Sequence, residues 1–212
     1  MFITFEGIEG SGKTTQMGLL AQELRHTHHD VVLTREPGGT PLGQLLRRVL
    51  VEPHEQPIDR VTELLLYAAD RRQHVIDVIQ PGVDRNAIVL CDRFTDSTLA
   101  YQGFGRLLDL DALRNLNDWA TGTLRPDLTL LFDVDETLGL HRAKSRNLFA
   151  QSNEGRFEAE DLLFHRRVRE GYLVLALAEP SRFVRIDGSG SIEDVFARTL
   201  EALKQRAPRL FS

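Results

Sequence analysis

The chain has little cysteine, no long apolar run and no surplus of positive charge. A single cysteine, Cys91, stands among 212 residues. No intrachain disulfide can form, and the composition suits a reducing, cytoplasmic compartment. No apolar stretch approaches the roughly 18 residues that a spanning helix needs, and MFITFEGIEG lacks the basic segment of a secretory signal. The expectation is a protein without a membrane partner. Lys and Arg total 26 against 31 Asp and Glu, a formal net charge of -5. That balance argues against a nucleic-acid partner, which draws on a basic patch, but leaves room for a small anionic substrate met by local arginines. No internal repeat, low-complexity tract or Gly/Ser-rich linker divides the sequence, so residues 1–212 read as one domain.

What is present is an alternation of short apolar runs with helical patterns. Strands are expected at FITFE (2–6), DVVLTR (30–35), AIVLC (87–91), LTLLFDV (128–134) and RFVRID (182–187). They are near-continuous apolar runs, as strands covered on both faces require. Helices are expected at about 13–26, 41–51, 59–79, 109–121, 136–146, 157–178 and 191–206, with a loop over 147–156. The pattern predicts an α/β fold in three layers: a five-stranded parallel sheet with helices on both faces.

Directly behind the first strand, Gly7 to Thr14 (GIEGSGKT) match G-x-x-x-x-G-K-[ST]. Gly7, Gly10 and Gly12 let the backbone curl so that its N–H groups converge on an anion, and the following helix adds a positive dipole end. Lys13 supplies a mobile charge for the terminal phosphates, and the Thr14 hydroxyl is suited to Mg²⁺. Ile8, Glu9, Ser11 and Thr15 complete the expected ATP-binding loop. No guanine-reading N/T-K-x-D occurs, and Ile8 stands where a partitioning ATPase would carry a second lysine. A short chain built around one such loop points to a small-molecule kinase.

Two clusters then offer an acceptor site. In CDRF (91–94), Asp92 follows a buried strand, where an acidic ligand for Mg²⁺ or its water belongs, and Arg93 stands beside it. In YAADR (67–71), Tyr67 and Arg71 are four apart and share one helix face, an aromatic plate beside a guanidinium that suits a nucleobase.

Together these residues resemble the thymidylate kinases, the bacterial dTMP kinase family. The likeness runs nearly the full length: FEGIEGSGKTT (5–15), REPGGT (35–40), YAADR, DRF (92–94), STLAYQG (97–103), RPDLTLLFDVD (125–135) and the arginine-bearing segment 142–156. The resemblance implies the P-loop NTPase fold with a lid over about 142–158, phosphoryl transfer from ATP to dTMP with Mg²⁺, and a homodimer. It implies that Glu9 addresses the deoxyribose 3′-hydroxyl, that Arg35 and Arg93 clamp the acceptor phosphate, and that Pro37 shapes the pocket wall. Tyr67, where Phe is usual, would stack on thymine and Arg71 would bond its O4. Ser97 and Thr98 would read the base edge. Tyr101 would crowd C2′, with Gln102 beside it in the acceptor site. Arg142 and the loop Asp187-Gly188-Ser189 would enclose adenine. The phosphate loop carries no arginine, so the lid should supply one; the resemblance favours Arg156 over Arg146. Gly155 replaces an acidic residue common at that point of the lid. The catalytic set is then Lys13, Glu9, Arg93, Arg156 and Arg146, with Thr14 and Asp92 for the metal.

Competing readings are a deoxynucleoside kinase, which has no use for Arg35 and Arg93 as a phosphate clamp, and a P-loop module that binds ATP without transfer. HTHH (26–29) reads as a solvated turn and Cys91 as a core residue. Val134-Asp135-Glu136 reads as a helix start, and Arg166, Arg167 and Arg169 as a solvated or subunit-facing edge.

Overall fold

The runs that are apolar throughout lie in the middle of the sheet. The structure, a computed structural model, describes residues 1–150 and 154–211. Strands β1 (Phe2–Glu6), β3 (Ile88–Asp92) and β4 (Leu128–Asp133) are buried at every position, whereas β2 (Val31–Arg35) and β5 (Phe183–Asp187) are partly exposed edges. All neighbours are parallel, in the order β2-β3-β1-β4-β5. This is the three-layer α/β architecture of P-loop NTPases. The chain leaves β1 toward one edge and β3 toward the other. That reversal opens a crevice at the carboxyl ends of β1 and β3, where ligands of such sheets bind.

Alternate side chains take opposite faces of the sheet. Ile3, Phe5 and Leu90 join a core with Met17, Leu20 and Leu24 of α1 (Lys13–His26) and Val195 and Leu203 of α9 (Ile192–Arg206). Full burial of each such side chain contributes about 1.5–3 kcal/mol. Phe2, Val89 and Cys91 point the other way, onto Val75, Ile79 and Phe94. A third cluster joins Ile8, Tyr101, Phe164, Val168 and Tyr172 around α8 (Leu162–Ala178). The remaining helices are α2 (Pro41–Val51), α3 (Arg60–His74), α6 (Leu110–Thr121) and α7 (Glu136–Ala150). Among the described residues no helix is long and apolar enough to cross a membrane.

Several boundaries differ from expectation, each for a local reason. The helix expected over 59–79 continues through a π-helical segment, Val75–Ile79, into α4 (Gln80–Asp84). Pro81 does not stop it; it stands two residues past the π-helical segment, whose wider i to i−5 bonding (Gln80 N–H to the Val75 carbonyl) precedes it. Asn147 to Ala150 extend α7 into the expected loop; residues 151–153 of that loop lie outside those described. Helix α8 starts at Leu162 rather than 157, because the Asp161 carboxylate caps it by accepting from the Phe164 N–H at 2.6 Å. No element was expected over 95–105, where α5 (Thr95–Thr98) and a π-helical segment (Leu99–Gly105) now stand. The glycines that disguise this helix have a packing reason. A Cβ at Gly105 would come within 2.7 Å of the Phe164 ring.

The arginines of α8 correct another expectation. Arg169 Nε lies 2.7 Å from Asp133 and its Nη1 3.1 Å from Glu136, Arg166 Nε lies 3.0 Å from Glu136, and Arg167 donates to the Gly105 carbonyl at 3.1 Å. They tie α8 to the end of β4, the start of α7 and the π-helical segment, while Arg166, its side chain 55% exposed, keeps to the solvated edge expected. The start of α7 is as expected, with the Asp135 carboxylate accepting from the Thr137 N–H at 2.9 Å.

Candidate active site

The phosphate loop is shaped by glycines that have no alternative. Gly7, Gly10 and Gly12 take φ values of 140°, 69° and 92°, and a Cβ at Gly10 would lie 2.0 Å from the Gly139 carbonyl oxygen. Residues Glu9 to Gln16 line a cleft of about 740 Å³, within the range of small-molecule sites. Ile8 contributes only backbone. Its side chain is buried in the α8 cluster, while its carbonyl accepts from Lys13 Nζ at 3.2 Å. Gly7 likewise turns the chain without reaching the cleft lining. Burial and the nearby charge of Arg93 push the Lys13 ammonium down to about 8, so an anion bound here would restore its charge.

The end of β3 supplies the centre of the cleft. Thr14 Oγ1 donates to Asp92 Oδ2 at 2.5 Å, placing a hydroxyl and a carboxylate side by side next to the phosphate loop. That donor pair suits a hard cation which completes its shell with phosphates and water. Among the described residues no group of three or more His, Cys, Asp or Glu could hold a metal alone. Arg93 adopts φ 74°, a left-handed conformation uncommon outside glycine, and its own N–H is held by the Phe5 carbonyl at 3.0 Å. Its Nη1 donates to Ser97 Oγ and the Tyr172 hydroxyl, each at 3.1 Å. Its Nη2 donates to Glu9 Oε1 at 2.9 Å and the Tyr101 hydroxyl at 3.0 Å. Burial would raise the Glu9 carboxyl, but Arg93, with His165, Lys13 and Tyr101, holds it well below the usual carboxylate range. Beneath them, Glu6 Oε2 accepts from Ser97 Oγ at 2.6 Å and the Tyr172 hydroxyl at 2.9 Å, and its Oε1 accepts from the Phe94 N–H at 2.8 Å. Burial, aided by Asp96, pushes the Glu6 carboxyl up to about 7.

The recess expected for a base is preorganised. Arg71, 1% exposed, donates from Nε to Glu36 Oε2, from Nη1 to Thr98 Oγ1 and Asn117 Oδ1, and from Nη2 to the Phe94 carbonyl, over 2.6–3.0 Å. A guanidinium has five N–H groups, so one Nη2 hydrogen has no partner among the described residues. Glu36 is itself held by His74 Nδ1 at 2.9 Å. Tyr67, Pro37, Ser97, Thr98, Tyr101 and Gln102 line the same recess. Ser97 and Thr98 are already bonded, Ser97 to Glu6 and Thr98 to Arg71. Gln102 Nε2 donates to Glu63 Oε1 at 2.7 Å. Arg35 lines the cleft, where partial desolvation, and after it the neighbouring Arg47, lowers its pKa.

At the far end Arg142 Nη1 donates to the Gly188 carbonyl at 3.0 Å, and both line the cleft together with Ser191. Of the two arginines expected to face the transferred group, the structure brings only Arg146 to the cleft lining. Arg156 is turned away. Its Nη2 lies 2.6 Å from Glu63 Oε2 and its Nε donates to the Leu50 carbonyl at 2.5 Å, because Glu63 is a buried carboxylate that needs cations. Arg146 Nη2 stands 3.3 Å from Glu158, with its side chain 58% exposed. Sequence reasoning missed Glu6, Glu36, Glu63, Asn117, Tyr172 and His165. Glu6 and Glu36 left a signal: Glu6 closes a largely apolar strand, and Glu36 lies within REPGGT.

Comparison with known proteins agrees with this geometry. The family model for thymidylate kinase matches residues 5–199. A thymidylate kinase of Geobacter sulfurreducens is 54% identical over 209 residues, covering 98% of each chain. One of Syntrophotalea carbinolica is 52% identical over 198 residues, 93% of this chain and 92% of that one. The crystal structure of thymidylate kinase from Ehrlichia chaffeensis matches with a TM-score of 0.78 and 37% identity over 96% of this chain and 98% of that one. A phosphate loop joined by one arginine to a base-sized recess, and likeness along almost the whole sequence, lead to one assignment: the chain belongs to the thymidylate kinase family.

Proposed function

We infer that this protein transfers the γ-phosphoryl group of ATP to dTMP, yielding ADP and dTDP. The observation that carries this reading is the position of Arg93. It joins Glu9 of the donor loop to Ser97 and Tyr101 of the acceptor recess and to the buried Tyr172 behind them, so one guanidinium serves both substrates. The acceptor is already an anion at pH 7 and needs no strong base. Transfer then depends on alignment and positive charge. The loop amides and Lys13 hold the donor phosphates. Arg93 and Arg35 grip the acceptor phosphate, and Arg71 offers its unused N–H to the base over the Tyr67 ring. Glu9, ionised between Arg93 and Lys13, addresses the sugar. Thr14 and, through water, Asp92 would hold Mg²⁺, which would supply positive charge against the donor phosphates. Adenine lies between Arg142 and the loop 187–189. Segment 142–158 acts as the lid within a single domain, excluding water that would otherwise take the phosphoryl group; Arg146 is the lid residue already at the cleft.

Leu42, Leu45 and Val49 of α2 and Val61 and Leu65 of α3 are exposed on two helices packed together. This apolar face supports a homodimer, to be measured by sedimentation. The lone, buried Cys91 is in keeping with a cytoplasmic location. A coupled ADP-release assay with MgATP and dTMP, dUMP, dCMP, dAMP, dGMP, UMP and thymidine tests the activity. dTMP should be the preferred acceptor and thymidine inert. Turnover on thymidine, or none with dTMP, overturns the reading.

A further inference from the structure

Glu9 is held on one side only. Its Oε1 accepts from the Tyr101 hydroxyl at 2.6 Å and from Arg93 at 2.9 Å, whereas the buried Oε2 has no hydrogen-bond partner among the described residues. Behind Glu9, outside the cleft lining, stands His165 of α8. It is wholly buried, and neither ring nitrogen has a hydrogen-bond partner among the described residues. The two orphans face each other, His165 Nδ1 lying 3.6 Å from Glu9 Oε2. A movement of about 0.8 Å would bring them to hydrogen-bond distance and satisfy both. The ring is placed by its neighbour, edge-on to Phe164 at 5.5 Å between centroids. Phe164 in turn lies 6.2 Å from the Tyr101 ring, so both partners of the carboxylate are set by one packed cluster.

Counting acceptor sites gives the consequence. Each carboxylate oxygen has two lone-pair directions. Oε1 uses both, on Tyr101 and Arg93. With Nδ1–H on the buried Oε2, the carboxylate is held at both oxygens and can no longer rotate. We propose that His165 is a positioning residue that donates from Nδ1 to Glu9 Oε2 and thereby fixes the orientation of the carboxylate that meets the 3′-hydroxyl of the acceptor sugar. The inference rests on the reading of Glu9 as the group that addresses that sugar. His165 touches neither substrate and acts through Glu9.

The test pairs enzyme variants with acceptors. Steady-state kcat/KM is measured for the wild type, His165→Leu, His165→Asn and His165→Gln, with dTMP and with 2′,3′-dideoxythymidine monophosphate, which lacks the hydroxyl. Asn places its N–H where Nδ1 stands and Gln where Nε2 stands; Leu fills the space without a donor. The wild type should prefer dTMP. His165→Leu should lower kcat/KM for dTMP by roughly tenfold, the scale of one hydrogen bond to a charged group, and leave the dideoxy acceptor nearly unchanged. His165→Asn should restore discrimination and His165→Gln should not. Equal losses on both acceptors, or equal behaviour of Asn and Gln, overturn the proposal; the Asn and Gln comparison stands even if the Leu variant fails to fold. A wild type active on dTMP but indifferent to the hydroxyl removes the Glu9 role and this proposal with it. No dTMP turnover at all removes the activity itself.

Discussion

Arg93 Nη2 stands 2.9 Å from Glu9 Oε1, closing a bridge between the end of β3 and the phosphate loop. The guanidinium makes four hydrogen bonds at once, to Ser97, Tyr172, Glu9 and Tyr101. Lysine offers a point charge without that fork. Arg93→Lys should therefore lower kcat/KM for dTMP by about 100-fold or more, the scale of one lost, aligned transition-state donor. A loss under threefold in steady-state assays would place the acceptor clamp elsewhere.

Lys13 should take up a proton when ATP binds. Its ammonium, pushed down to about 8 by burial and Arg93, is about half deprotonated at pH 8 without ligand. The triphosphate brings the opposite charge and favours the protonated form. Titration calorimetry at pH 8 in buffers of different ionisation enthalpy should report an uptake of about half a proton, falling toward zero at pH 6.5. Uptake that does not change between those pH values would point to another group.

Glu6 predicts a stability slope. Its folded value is about 7 against 4.5 in the unfolded chain, so between these values the folded state holds the extra proton. Stability of the ligand-free protein should fall as pH rises from 4.5 through 7, by about 3 kcal/mol in all as an order of magnitude. Below 4.5 the group is protonated in both states and contributes no slope. Urea midpoints measured against pH should show this fall in the wild type and lose it in Glu6→Gln. Parallel curves for the two proteins would contradict the assignment.

The two lid arginines should separate. Arg146→Ala should reduce kcat at least tenfold with a modest effect on KM and little change in Tm. Arg156→Ala leaves Glu63 buried with one fewer cation, and should lower stability by about 3 kcal/mol. A large fall in kcat for Arg156→Ala at unchanged Tm would mean that Arg156 leaves Glu63 during turnover.

What the sequence disclosed was local chemistry. FITFE followed by GIEGSGKT is legible because strand, glycines, lysine and threonine are contiguous, and β1 matches the expected bounds. The helix over 95–105 was not legible. Its glycines argue against a helix in isolation, and only contact with Phe164 of α8, about 60 residues onward, makes them necessary. Tyr172 and His165 were missed for the same reason, since α8 gives no sign in its own periodicity that one face meets Glu9 and Arg93. Arg156 shows the reverse case. A motif position suggested an arginine in the cleft, but a buried carboxylate on α3 draws it away.

A tight glycine-to-glycine approach joins the phosphate loop to α7. Gly10 of the phosphate loop and Gly139 of α7 meet with no room for a Cβ on either side, so α7 rests on the loop as a beam on a fulcrum. Arg146 lies seven residues farther along, about 10 Å at 1.5 Å per residue, so a tilt of about 10° swings it by about 2 Å. A loop that grips the donor would thus also be the pivot of an arm reaching over it.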